Sequence, residues 1–340
     1  MFKVLLSVLF SLLCVSLYSK TVIHAGNLFN ANNGSIEPEM TIFIEDDKIT
    51  DVIEGYVNPE IDDTYLDLTG YFVLPGLIDM HVHLTNLSSN KAYLERVTLN
   101  PADYAIRATK NAENTLNAGF TTVRNLGDSN SITISLRNAI NNGIVIGPRI
   151  FSSGQTISST GGHGDSTNSL NQQLTRDLGP KDGVINSETD AFKAVRSRYK
   201  ENADLIKITA TGGVLSNAKD GQNPQMTIKE ISAIVEAAKD YGFKVAAHAH
   251  GSEGIKRATI AGVDSIEHGT LMDKEGAEMM REKGTFYVPT LLAGKWVADK
   301  ALIKDYYPPF VEKKALEIGP KLQSTFSMAL TRQPSPKRGL

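Results

Sequence analysis

From residue 77 onward the chain repeats one rhythm, a short apolar run followed by a longer segment with apolar residues at helical spacing. The runs fall at residues 77–83, 120–124, 149–152, 204–210, 243–248, 263–268 and 285–289. Between most of them lie helical patterns at 102–118, 132–142, 188–202, 227–241, 253–261 and 274–283. The patterns at 102–118, 132–142 and 227–241 stop at Gly119, Gly143 and Gly242, residues suited to helix C-caps. Strands that alternate with helices imply a parallel sheet. Seven strands are read here, and a closed parallel barrel takes eight. The predicted fold is therefore α/β, a TIM (β/α)8-type barrel whose last strand is missing from the sequence. The Gly-, Ser-, Thr- and Asn-rich stretch 154–186 follows the third strand, where barrel proteins carry substrate loops.

Residues 20–75 have a different texture. Thr41-Ile42-Phe43-Ile44 and Lys48-Ile49-Thr50-Asp51-Val52-Ile53 flank an acidic turn and predict a hairpin. Tyr65-Leu66-Asp67-Leu68 and Tyr71-Phe72-Val73-Leu74 are read as two further strands separated at Thr69-Gly70. This region is expected to be a small β-sandwich half-domain.

Met1-Phe2-Lys3 precedes an apolar run over residues 4–17, followed by small polar residues. That pattern predicts a signal peptide over 1–19, cut between Ser16 and Lys20, and a secreted or periplasmic protein. Cys14 is the only cysteine and would leave with the leader, so the mature chain has no thiolate to offer a metal. The net charge of -3 supplies no basic field for nucleic acid. No internal run is apolar enough to span a bilayer, so no membrane association is expected after cleavage.

The chemistry concentrates at strand ends. In Leu77-Ile78-Asp79-Met80-His81-Val82-His83, alternation projects His81 and His83 to one face. Two such imidazoles can hold one divalent ion at about 2.0–2.1 Å per nitrogen. Lys207 lies in Leu205-Ile206-Lys207-Ile208-Thr209, facing away from the two isoleucines, and an inward lysine costs desolvation unless paired or neutral. Its neutral amine could add carbon dioxide, giving a carbamate able to bridge two metals. His248 ends Val245-Ala246-Ala247-His248, and His268 ends Ser265-Ile266-Glu267-His268. The carboxyl ends of barrel strands are where such proteins build active sites.

These residues, with Gly70-Tyr71-Phe72-Val73-Leu74-Pro75-Gly76 ahead of His81, resemble the metal-dependent amidohydrolase superfamily over roughly residues 21–327. Ile206-Lys207-Ile208-Thr209-Ala210-Thr211-Gly212-Gly213-Val214 and Ala246-Ala247-His248-Ala249-His250-Gly251 are similar to its secreted prolidase-like dipeptidase and arginine-carboxypeptidase branch. The resemblance implies two divalent ions, with zinc favoured by a His-rich site. It places His81 and His83 on the more buried ion, His248 and His268 on the second, and a carboxylated Lys207 across both. The substrate would be a small peptide or amide cleaved at a peptide-type C–N bond, and a homo-oligomer is possible for such a protein. His163, in Gly161-Gly162-His163-Gly164-Asp165, is assigned to substrate contact. His250 is expected to support the metal ligands, and His24 to be structural. Two other readings are a hydrolase of cyclic amides or imidazolones and a non-catalytic metal-binding fragment.

The family's eighth strand carries an aspartate, typically in Gly-Thr-Asp, that binds metal and moves the proton. After His268 the available residues are Asp273, which looks like a helix cap, and Asp299 and Asp305 in a polar, Lys-rich segment. None ends an apolar run. Residues 328–340, with Pro334 and Pro336, suit no buried strand and read as a non-homologous tail. The domain division is thus 1–19, 20–75, 76–327 and 328–340, with a frameshift or truncation expected near 328 and an open barrel edge as its consequence. This chain is accordingly expected to turn over substrate at least about a hundredfold more slowly than an intact homologue.

Overall fold

The computed structural model describes residues 19–86, 89–219 and 221–330. The leader read over 1–19 falls outside these except for its last residue, as does the sequence beyond 330. The chain divides into two compact units, residues 1–76 and 77–340.

In the first unit, β1 (Thr21–Asn30), β2 (Ser35–Glu45), β3 (Lys48–Glu54) and β4 (Thr64–Val73) form a sheet in the order β3-β2-β1-β4. Glu45 pairs with Lys48, leaving Asp46-Asp47 as the predicted hairpin turn. Asp46 takes the left-handed conformation that such turns require. The expected break at Thr69-Gly70 is not a turn. β4 is continuous there and bulges against β1, since Ala25 pairs with Leu68 and Asn27 with Phe72. Gly26 makes the bulge possible, because a Cβ at that position would lie 2.0 Å from the Thr69 carbonyl oxygen. His24 is buried and fully used: Nε2–H donates to the Val57 carbonyl at 2.8 Å, and Nδ1 accepts from the Tyr65 hydroxyl at 3.0 Å. It is structural, as read.

The second unit runs β5 (Leu77–Val82), α1 (Ala92–Thr98), α2 (Pro101–Asn117), β6 (Phe120–Asn125), α3 (Ile132–Asn141) and β7 (Arg149–Ser152). Two short strands follow, β8 (Ser158–Ser159) and β9 (Val184–Ile185), and they pair with each other inside the long predicted loop. The chain continues with α4 (Glu188–Lys200), β10 (Ile206–Thr209), α5 (Ile228–Asp240), β11 (Val245–Gly251), α6 (Ser252–Ala261), β12 (Ser265–Leu271), α7 (Lys274–Lys283) and β13 (Phe286–Val288). It ends in α8 (Leu291–Ala301), α9 (Pro309–Ile318) and α10 (Leu322–Leu330). No helix among the described residues is long and apolar enough to cross a membrane.

The strands form parallel sheets β5-β6-β7 and β10-β11-β12-β13. Asp204, just ahead of β10, links them, its N–H donating to Ser152 O of β7 at 2.7 Å, and beyond β7 the backbone of Ile157 pairs with β10: its N–H donates to Lys207 O at 2.8 Å, and Thr209 N–H donates to Ile157 O at 3.0 Å. The outermost strands, β5 and β13, carry exposed Leu77, Ile78, Met80 and Phe286. One face of the larger sheet presents Ile206, Ile208, Val245, Ala247 and Ile266, which pack with Val195, Ile231, Ile234 and Ala258 in the main core. Burying each Ile or Val there contributes about 1.5–3 kcal/mol. Alternation then commits Lys207, Thr209, Ala246, His248, Ser265 and Glu267 to the opposite face, with Thr209 beside His248 and His248 beside Glu267.

The segment after β13 is not the polar run read from sequence. It folds into three helices, and Val311, Ala315 and Ile318 of α9 bury against Val214, Ala301 and Tyr307. The lysines there obscure an apolar repeat that spans two turns of α9.

Candidate active site

Six imidazoles meet at the carboxyl ends of the strands. Ring centroids lie 5.3 Å apart for His81 and His83, 4.7 Å for His81 and His268, and 4.7 Å for His248 and His268. His163 stacks on His248 at 4.3 Å, and His250 stacks on His268 at 5.0 Å. Lys207 is buried, and its charge acts on all six rings. The structure therefore brings together every site residue predicted from sequence. His250, expected to play a supporting role, joins the cluster itself.

Each predicted ligand ring is oriented through one nitrogen. His81 Nδ1 meets Glu267 Oε2 at 2.8 Å, and His83 Nδ1 faces the Gly127 carbonyl at 3.3 Å. His248 Nε2 faces the Gly212 carbonyl at 3.1 Å, and His268 Nδ1 meets Thr290 Oγ1 at 2.8 Å. The remaining nitrogen of each takes no hydrogen bond among the described residues. His250 Nδ1 is likewise engaged, by Thr270 Oγ1 at 2.8 Å.

His268 reaches the cluster by an irregular route. Regular alternation would place it beside Ile266, on the core face. Instead it adopts φ 69°, a left-handed conformation uncommon outside glycine, and Gly269 follows at φ 57°. The β11–β12 register slips across this point. Tyr287 supports the turn, its hydroxyl donating to the His268 carbonyl at 3.0 Å. A Cβ on Gly269 would lie 2.5 Å from that tyrosine ring.

The loop after β5 is fixed by Asn125. Its Oδ1 accepts from Leu84 N at 2.8 Å, and its amide donates to Thr133 Oγ1 at 3.2 Å. The loop after β10 is fixed by Lys314 of α9, whose buried ammonium donates to the carbonyls of Gly213 and Ala218 at 2.8 Å and of Ser216 at 2.9 Å. That loop confines His163, because a Cβ on Gly213 would lie 2.2 Å from the imidazole. Lys314→Met is expected to cost about 2 kcal/mol, since the carbonyls lose a charged donor while an apolar stem is kept. Denaturant unfolding of the two chains would measure this, and equal midpoints would refute it.

Glu267, Arg124, Asn125 and Lys314 went unrecognised in the sequence. Glu267 had a signal, since it shares strand parity with His248 through the parallel register, but that register is a tertiary fact. The three aspartates considered for the proton role lie elsewhere. Asp273 caps α7, accepting from Gly276 N at 2.7 Å, and Asp299 pairs with Lys295 at 2.5 Å. Asp305 sits in a left-handed turn at φ 59°.

Burial holds the imidazoles neutral. It pushes His163 and His250 down to about 3, and His81, His248 and His268 well below the ordinary histidine range. Neighbouring histidines add to this for His163, His248 and His268, and the Lys207 charge adds to it throughout. Burial likewise pushes the Lys207 ammonium down to about 8; the Glu267 carboxylate opposes the shift and Arg124 adds to it. Among the described residues, no three His, Cys, Asp or Glu side chains close on one point as a finished coordination shell. The donor chemistry nonetheless suits a metal. Ligand histidines must be neutral, and these are. His163 Nδ1 is buried with no hydrogen-bond partner, an acceptor or donor held ready in the cluster.

The chain belongs to the amidohydrolase family, whose model matches residues 72–306. Among solved structures it is similar to a Xaa-Pro dipeptidase with methionine bound in its active site, at 48% identity and TM-score 0.87, covering 92% of this chain and 77% of that one. It is similar also to a prolidase complexed with N-methylphosphonate-L-proline, at 32% identity and TM-score 0.82, covering 92% and 76%. The ochratoxinase of Aspergillus niger is 30% identical over 79% of this chain and 58% of its own length. The chain thus spans little more than half of that curated relative.

Proposed function

We propose that this chain is a metal-dependent barrel hydrolase that cleaves the peptide-type C–N bond of dipeptides, Xaa-Pro dipeptides foremost. The observation that carries the reading is the convergence of the His81, His83, His248 and His268 rings, on all of which the charge of buried Lys207 acts. Similarity to the dipeptidase and the prolidase supports the substrate class. The leader over 1–19 supports export from the cytoplasm.

In this reading His81 and His83 would hold one divalent ion, His248 and His268 a second, and Lys207 both, once its neutral amine adds carbon dioxide and loses a proton. Zinc suits this donor set. When bound, such a pair polarises the scissile carbonyl and makes water nucleophilic at neutral pH. The protein's own part is orientation. His163 is held against His248 by Gly213 and offers its unpartnered Nδ1 to a substrate oxygen. The Asn125 and Lys314 networks keep the loops after β5 and β10 in place around it.

The test is hydrolysis of Met-Pro and other Xaa-Pro dipeptides by the zinc-reconstituted chain, with metal counted by mass spectrometry. Two equivalents of zinc and chelator-sensitive release of proline are expected. Preference for an imidazolone would favour the cyclic-amide reading, and bound zinc without any turnover would favour a non-catalytic metal protein.

A further inference from the structure

Glu267 is the one fully buried carboxylate in the ring cluster, and both its oxygens are committed. Oε2 meets His81 Nδ1 at 2.8 Å; Oε1 accepts from Arg124 Nη2 and from Ser265 Oγ, each at 2.6 Å. Arg124 is locked in turn, its Nε donating to the Met80 carbonyl at 2.7 Å and its Nη1 to Ser265 Oγ at 3.2 Å. The network ties β12 to β6 and to the backbone immediately before His81. The other predicted ligand rings lean on neutral oxygens, of Gly127, Gly212 and Thr290. His81 alone leans on a carboxylate.

We propose that Glu267 is the positioning residue of this site: it fixes His81 as the Nδ1–H tautomer, so that Nε2 is the atom presented to a metal, and Arg124 holds the carboxylate to that task. A carboxylate can only accept, so a neutral His81 must carry its proton on Nδ1. The carboxylate also makes the opposite nitrogen a stronger donor, as in carboxylate–histidine–metal arrangements. The ion held by His81 and His83 should then be the more tightly bound of the two. This last step rests on the reading proposed above, whereas the tautomer does not.

Substituting Glu267→Gln makes the assignment testable. Arg124 and Ser265 both donate, so they claim the amide oxygen and turn the NH2 toward His81. Nδ1 must then accept, and the ring's proton moves to Nε2.

The experiment is a long-range 1H–15N spectrum of the histidine-labelled, metal-free chain at pH 7.5, with His81→Gln used for assignment. The wild-type chain should show His81 protonated on Nδ1, and Glu267→Gln should show it protonated on Nε2. Chelator competition should show the tighter zinc weakened by about tenfold to a hundredfold in the variant. A wild-type His81 protonated on Nε2 overturns the proposal, as does a folded variant with unchanged tautomer and zinc affinity. If the variant does not fold, the wild-type spectrum still decides. A chain with the expected tautomer that binds no zinc would sink the hydrolase reading and leave the role of Glu267 in orienting His81 standing.

Discussion

Lys207→Met is expected to lower kcat/KM on a dipeptide by at least about a thousandfold, or about 4 kcal/mol of transition-state stabilisation. Lys207 is the one predicted ligand shared by both ions, so its loss uncouples the pair. Methionine keeps the length and the apolar packing of the stem, so the fold should survive. Removing a buried charge should leave the unfolding midpoint unchanged or raise it. Zinc content should fall below two equivalents. The pH at which wild-type chain is reconstituted should matter as well. With its ammonium pushed down to about 8, roughly one-tenth of Lys207 is neutral at pH 7 and most of it at pH 9. Metal loading in bicarbonate should therefore speed up across that interval and stay flat in the variant. A Lys207→Met chain within tenfold of the parent's activity would refute this role.

The metal-free chain should unfold in mild acid, between about pH 6.5 and pH 4, as five imidazoles held below their ordinary range charge together. The sign follows from where the protons bind. The unfolded chain takes them up with an ordinary histidine pKa near 6.5. The folded chain resists, with His163 and His250 at about 3 and His81, His248 and His268 well below the ordinary range. Below pH 6.5 the unfolded state thus holds more protons, and stability falls as pH falls. One pKa unit on each of five rings already amounts to about 7 kcal/mol, within the whole stability of a typical domain. Bound zinc would compete with those protons and move the transition to lower pH. Circular dichroism of the metal-free chain that stayed native down to pH 4 would refute the prediction.

The positions of strands and helices were largely legible because they depend on local spacing. Phe120–Asn125, Arg149–Ser152 and Lys274–Lys283 lie within a residue of their expected bounds. Gly119, Gly143 and Gly242 end helices in the left-handed conformation that glycine adopts without penalty. The three helices after β13 were missed because charge density masked the Val311, Ala315 and Ile318 repeat, whose burial depends on Val214 arriving from a distant loop. The strand break at Thr69-Gly70 was misread because a bulge and a turn use the same small residues. Only the partner strand, with Gly26 yielding space, distinguishes them.

The site divides the same way. His81, His83, Lys207 and His248 announce themselves by strand parity and by their position at strand ends, which sequence alone determines. His268 was read as a site residue from its place at a strand end, but on parity it belongs with Ile266 on the core face. It enters the site only because its backbone turns left-handed above Tyr287 and a register slip lets it do so. The parity of Glu267 was legible but its role was not, since its partners His81 and Arg124 lie more than a hundred and forty residues away in the chain. Sequence fixes which face a side chain takes along its own strand. Which strands stand opposite, and so which nitrogen of which histidine is left to act, follows from the register between strands and from contacts across the interior, and these exist only in the folded chain.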